Sequence, residues 1–325
     1  PAHSPMVPSG APGANGPGTL TPVTHLLNLV RGFLMGSADI VPGVSGGTVA
    51  LVLGIYERLV HNIRVGAGAL GALVRGRWAD TRRRLGEVEW SFLLVLLAGI
   101  GVAFISLAAL IERLLEDHPV EMAAVFLGLV GGSIVIAWRL IRRHDPFRYA
   151  VMAATAVAAF AVLGLRSGEV SDPMVWAFFG AGMLAIVAMI LPGVSGSFLL
   201  LMIGMYEAVL AALNDRDFLL LGVFAVGAVL GLAAFSTLLD RLLRNHHDTV
   251  MAALIGLMAG SLRVLWPWPD GTDTAALSAP PSGEWLGPLL LAAAGLAAVL
   301  TIGVLARRTA ADEGRSARSG DEPSE

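Results

Sequence analysis

PGVSGGTVALVLGIYE, residues 42–57, returns as PGVSGSFLLLMIGMYE at residues 192–207. The offset is 150 without a gap, and 9 of the 16 positions are identical. Each copy lies in the middle of a long apolar run. Proline and glycine break a helix there, and serine, threonine and glutamate are expensive in lipid. A broken apolar segment at corresponding positions of two halves is the sequence mark of a membrane protein's binding site.

Composition agrees with a membrane setting. The 325 residues are 55% hydrophobic and only 14% charged, well below the roughly 25% of soluble domains. There is no cysteine, so neither a disulfide framework nor thiol chemistry is available. All 22 basic residues are arginine. Residues 1–25 are rich in Pro, Gly and Ser and are expected to be disordered, as is the polar tail at 309–325. The N-terminal stretch lacks the compact apolar core of a secretory signal.

A helix crossing a bilayer needs about 20 mostly apolar residues. Six runs qualify: about 91–111, 120–140, 147–165, 218–239, 249–265 and 285–305. Two more, 26–60 and 173–213, contain the motifs and are cut by them. The arm from Leu27 to Val41 is about 22 Å long as a helix, short of a full crossing. Each motif run is then either two cramped spans or one re-entrant hairpin.

Arginine placement bears on this choice, because positive loops face the cytoplasm. Counting alternate loops, 14 arginines fall on one side, beginning with Arg64, Arg75, Arg77 and Arg82–Arg84. The other side holds only Arg113, Arg166, Arg216 and Arg263. The alternation requires each motif run to enter and leave on the same face. A re-entrant hairpin does this, and two full spans per run would keep the same sidedness. The expected fold is an all-α polytopic membrane protein with both termini cytoplasmic. It is an inverted repeat, each half a hairpin plus three transmembrane helices: repeat 1 at 26–165 and repeat 2 at 173–306. Downstream echoes support the duplication: Met122-Ala123-Ala124, Gly128-Leu129 and Gly132-Ser133 recur as Met251-Ala252-Ala253, Gly256-Leu257 and Gly260-Ser261, allowing one gap. The broken tips of the two hairpins should meet near the midplane.

Helices restarting near Ser45 and Ser195 present unpaired N–H groups and a partial positive charge. Glycines Gly43, Gly46, Gly47, Gly193 and Gly196 let an anion approach that backbone, and Ser45, Thr48, Ser195 and Ser197 add hydroxyls. Two such tips make a cradle for a phosphate; the same small residues also permit plain close packing of helices. The intramembrane ionisable residues are few. Asp39 precedes the first break, and Met189 stands at its counterpart, so the halves are not equivalent. Glu57 and Glu207 each follow a tyrosine at the end of a motif, where an interfacial acid is the simpler reading. Arg31 lies in the first arm, placed to pair with Asp39, meet a phosphate or reach the interface. Asp39, Glu57 and Glu207 are the candidates for proton coupling.

Other features read as scaffold. The Arg64–Arg84 run is a topology determinant and a contact for anionic membrane lipids. His246-His247 reads as a solvated cytoplasmic turn, and Trp266, Trp268 and Trp285 as an interfacial belt. No metal site, cofactor motif, nucleic-acid-binding pattern or hydrolytic triad is recognisable. Oligomeric state is left open.

GSADIVPGVSGGTVALVLGIYE, residues 36–57, together with the second motif, closely resembles the polyprenyl-phosphate transporter family. The resemblance covers about residues 26–305. It implies flipping of undecaprenyl phosphate across the bacterial cytoplasmic membrane, returning the carrier lipid for cell-envelope synthesis. It also implies site residues Asp39, Pro42, Gly43, Ser45, Gly46, Gly47, Thr48 and Glu57, with Pro192, Gly193, Ser195, Gly196, Ser197 and Glu207. Two rivals remain. Integral-membrane polyprenyl-pyrophosphate phosphatases use a PGxSRS-type motif, but Gly46 and Gly196 stand where their arginine would be, which disfavours phosphoryl transfer. A small-anion secondary transporter would use the same helix termini.

Overall fold

The computed structural model describes residues 22–41, 43–165, 170, 173–268, 277–281 and 283–319, with side chains described only within 23–304. Among them all regular structure is helical. The first half comprises α1 (Pro22–Asp39), α2 (Gly46–Val52), α3 (Tyr56–Val74), α4 (Trp78–Glu87), α5 (Trp90–Asp117), α6 (Pro119–Trp138) and α7 (Pro146–Val162). The second comprises α8 (Val175–Ile190), α9 (Gly196–Met202), α10 (Tyr206–Asn214), α11 (Phe218–Ser261) and α12 (Leu286–Ser319).

Local chemistry sets many boundaries. Pro119 and Pro146 open α6 and α7, where a missing N–H removes no helical bond. Asp145 caps α7 by accepting the Arg148 N–H, and Asp217 caps α11 by accepting from Leu219 and Leu220. At 44 residues α11 would be about 66 Å long if straight, twice a bilayer core. One non-helical residue, His246 (φ −138°, ψ 42°), divides it into two helices that meet at a kink, and these correspond to the two runs expected at 218–239 and 249–265.

Among the described residues, four helices are long and apolar enough to cross a membrane: α5, α6, α11 and α12 over 286–304. The apolar α7 and α8 are shorter, at 17 and 16 residues. Helices α9 and α10 would together make a further span, but they are bent by 111° at their junction. The outward face of α5 leaves Leu94, Leu97, Phe104 and Ile105 exposed, Ile105 at 91%, a continuous apolar surface suited to lipid. The chain is thus an all-helical polytopic membrane protein, and it departs from the expected boundaries at both ends. Helix α1 already includes residues 22–25, and α12 continues through 309–319 into the tail expected to be disordered. Residues 1–21 and 320–325 lie outside the described ones.

The helices pack in matched pairs. Gly32 and Gly99 let α1 lie directly on α5, where a Cβ on either would collide with the facing backbone. Gly182 and Gly227 do the same for α8 on α11. Likewise Gly128 and Gly132 seat α6 on α12, and Gly256 and Gly260 seat the second half of α11 on α7. This is the small-residue packing that membrane helices rely on where the hydrophobic effect cannot drive them together. The core between the pairs is built on Val41, Leu96, Met258 and Leu265, none more than 1% exposed.

Candidate functional site

The two motif tips are packed against each other. Each chain reverses through a glycine in the left-handed region, Gly43 at φ +79° and Gly193 at φ +85°. A side chain there is strained, and it is also blocked: a Cβ on Gly43 would lie 2.8 Å from Val264 Cγ1, and one on Gly193 2.8 Å from Met258 Cα. Residues 258–265 therefore form the floor beneath both tips. Pro192 is buried in the second tip; Pro42 of the first lies outside the described residues.

Helix α8 ends at Ile190, leaving its last carbonyls without helical partners. The first tip supplies them. Ser45 Oγ donates toward the Leu191 and Met189 carbonyls at 3.3 and 3.4 Å, and Tyr56 donates to the Ile190 carbonyl at 3.1 Å. In the other direction Gly193 N–H donates to Thr48 Oγ1 at 2.8 Å. Gly47 must lack a side chain because a Cβ would sit 2.9 Å from the Ile190 carbonyl oxygen. Ser45 also caps α2 by accepting the Gly47 N–H at 3.1 Å. The hydroxyls of Ser45 and Thr48, expected to line a cradle, here bond the tips together.

The two helix starts differ. At α2, the Gly46 N–H donates to Asp39 Oδ1 at 2.6 Å, so a carboxylate of the protein already occupies the anion position. At α9 the counterpart of Asp39 is Met189, whose Cγ a Cβ on Gly196 would meet at 2.8 Å. Ser195 makes no side-chain cap there; its hydroxyl pairs with that of Ser197 at 2.8 Å, and Ser197 is exposed.

The remaining expected residues lie elsewhere. Arg31 is two turns before Asp39, about 12 Å along the helix, and donates to Asn28 Oδ1 at 3.0 Å. Glu57 is exposed at the far end of the hairpin, and its Oε1 is 3.0 Å from His247 Nε2. Glu207 is exposed in a surface recess with Asp215 and Asp217, away from the tips. His247 is not a solvated turn residue: its side chain is 19% exposed and bridges Glu57 and Asp248. Asp248 in turn accepts from the backbone of Arg142 and Arg143, so the α11 kink is fastened to the α6–α7 loop.

Two polar groups escaped sequence reasoning. Tyr56 is buried, and its partner, the Ile190 carbonyl, is 134 residues away in sequence. Asp240, 5% exposed, binds Arg64 at 2.8 Å and Arg244 at 2.5 Å, with His61 Nδ1 at 3.3 Å. Its signal was an acid four residues before an arginine at the end of an apolar run. Close by, Arg58 pairs with Glu89 and lies over the Phe92 ring, holding the Glu89 carboxyl below the usual glutamate range. These contacts dock α3 onto α5 and α11.

Comparisons with known proteins converge. The undecaprenyl phosphate translocase-like family model matches residues 35–280, which include both motifs. The polyprenyl-phosphate transporter of Vibrio cholerae is 37% identical over 272 residues, 82% of this chain and 85% of its own length. The protein of the same name from Staphylococcus aureus is 31% identical over 258 residues, 74% of this chain and 86% of its own. No solved structure matches the chain.

Proposed function

The chain belongs to the undecaprenyl phosphate translocase-like family, and from that premise we propose that it transports polyprenyl phosphate, undecaprenyl phosphate or a close relative, across the bacterial cytoplasmic membrane. The observation that carries this reading is the pairing of the two tips, 150 residues apart in sequence, with one helix start capped by Asp39 and the other bearing Ser195 and Ser197. The carrier lipid is returned inward after its glycan has been donated outside, and the protein acts as a transporter, not a phosphatase.

Moving a phosphate through hydrocarbon is prohibitive unless its charge is compensated. Backbone N–H groups at the tips and the Ser195–Ser197 hydroxyls offset part of that cost. Asp39 and the lipid phosphate compete for one donor set at α2. Protonating Asp39 weakens its hold on Gly46 N–H and removes a like charge, which admits the phosphate; deprotonation restores the cap and expels it. Gly46 leaves room for the anion where the Asp39 carboxylate now lies, Gly43, Gly47, Gly193 and Gly196 let the tips pack closely on their neighbours, and Thr48 with Ser45 holds the tips in register. Glu57 and Glu207, exposed at the far ends of the two motifs, are further candidates for proton exchange, and Arg31 is placed to attract the head group along the first arm.

The architecture in this proposal is an inverted repeat, 26–165 and 173–306, with two re-entrant hairpins and both termini cytoplasmic. The matched glycine pairs support it: α1 on α5 repeats as α8 on α11, and α6 on α12 as α11 on α7.

Asp39→Asn tests the mechanism in proteoliposomes loaded with fluorescent polyprenyl phosphate. Wild type should move the lipid in response to a pH gradient without releasing inorganic phosphate. The variant should bind the lipid yet lose gradient dependence. Phosphate release by wild type would favour the phosphatase, and wild-type gradient dependence in the variant would leave Asp39 a helix cap only.

A further inference from the structure

Beside the first tip, between the α1–α2 hairpin and helices α6 and α12, lies a cavity of about 260 Å³. Its three hydroxyl-bearing wall residues are all engaged. Ser37 Oγ donates to the Phe33 carbonyl at 2.8 Å, Ser133 Oγ to the Leu129 carbonyl at 2.8 Å, and Thr48 Oγ1 accepts from Gly193. The rest of the wall is aliphatic or aromatic, Val52, Phe126, Leu129 and Val299 among it. A dry apolar cavity of roughly 150 Å³ is enough to take up benzene, so this one suits hydrocarbon of more than six carbons.

The second half shows what such a volume looks like when it is closed. By the 150-residue offset Thr48 corresponds to Phe198 and Val52 to Met202; by the echoes downstream Leu129 corresponds to Leu257. Gly132 meets Val299 on α12 as Gly260 meets Ala159 on α7, so Val299 corresponds to Ala159. In the second half Phe198 is 4% exposed and packs with Ala159, Leu163, Val264, Met202 and Leu257. The protein's own benzyl group occupies there the place that stands open in the first half. The wall of the first-half cavity runs directly into the tip through Thr48.

Resting on the transport reading above, we infer that the first-half cavity receives the head-proximal isoprene units of the substrate, anchoring the lipid tail while the phosphate meets the tips. The two halves then divide the labour: the first grips hydrocarbon, and the second is closed by Phe198.

The test uses purified full-length protein in detergent, with farnesyl phosphate and inorganic phosphate as probes. Val52→Phe narrows the cavity, and at Val130, in the α6 wall, Val130→Met installs the residue found at the second-half counterpart, Met258. Either variant should weaken farnesyl phosphate binding about tenfold while leaving inorganic phosphate competition unchanged. Unchanged farnesyl phosphate affinity in both variants overturns the assignment. So does an equal loss for both probes, which would mean that the tip itself had moved. Displacement of farnesyl phosphate by an equal concentration of phosphatidylglycerol overturns it too, the cavity then being a general acyl-chain pocket. A wild type that binds neither phosphate removes the transport reading first, and the tail site with it.

Discussion

Asp39 and Gly46 are fitted to each other: the carboxylate takes the glycine N–H at 2.6 Å, and a Cβ on Gly46 would lie 2.5 Å from its other oxygen. The glycine is required by the acid, since its own backbone is not in the left-handed region. Gly46→Ala should therefore destabilise the protein by about 1–3 kcal/mol, and the penalty should shrink when Asp39→Ala is also present. Unfolding in detergent of both single variants and the double variant measures the coupling; strict additivity would show that the clash lies elsewhere.

Ser45 and Ser195 occupy equivalent motif positions but should fail differently. Ser45→Ala removes a helix cap and the hydroxyl facing α8, and should lower stability by about 1 kcal/mol or more. Ser195→Ala loses only its partnership with Ser197 and should leave the melting temperature near wild type while weakening lipid-phosphate binding. Wild-type affinity in Ser195→Ala would move the anion away from α9.

Glu89 makes the stability pH-dependent in a stated direction. Its hydrogen bond from Arg58 lowers the folded pKa, burial acting against this and the Asn62 amide assisting. A depressed carboxyl contributes stability in full above its unfolded value, about 4.3, and loses it as pH falls through the folded value. The melting temperature of wild type should exceed that of Glu89→Gln at pH 6–7 by a constant margin, and the margin should close below about pH 4. A margin that persists in acid would mean packing, not charge, holds α3 to α5.

Arg77 and Glu284 stand at exposed positions before α4 and before α12. Cysteines placed there should react with an impermeant thiol reagent from opposite faces of intact cells, Arg77→Cys only after permeabilisation. Labelling of both from the same face would end the inverted-repeat reading.

Much of the architecture was legible in the chain because it depends on local periodicity and composition. The apolar runs located α5, α6, α12 and both parts of α11, since lipid demands long unbroken apolar helices, although α5 and α12 continue past the expected ends at 111 and 305. The doubled PGVSG located both breaks, because glycine at positive φ is a property of single residues. Asp39 and its missing counterpart at Met189 were visible by alignment of the halves alone.

What the three-dimensional structure alone decided are relationships across 134 to 146 residues. Ser45 reaching Leu191, Thr48 receiving Gly193 and Tyr56 meeting Ile190 have no periodic signature. The same holds for His247 bridging Glu57 to Asp248, and for Asp240 drawing in Arg64. A motif in the chain states which groups are available near a break; it does not state whether a hydroxyl will face a ligand or the other tip. That choice belongs to packing, because a helix end buried against another helix must have its carbonyls satisfied by whatever donor the fold brings within 3 Å or so. For the same reason the contrast between the open cavity at Thr48 and the filled one at Phe198 reads in sequence only as threonine against phenylalanine. It takes on meaning once α12 and α7 are seen to close equivalent walls.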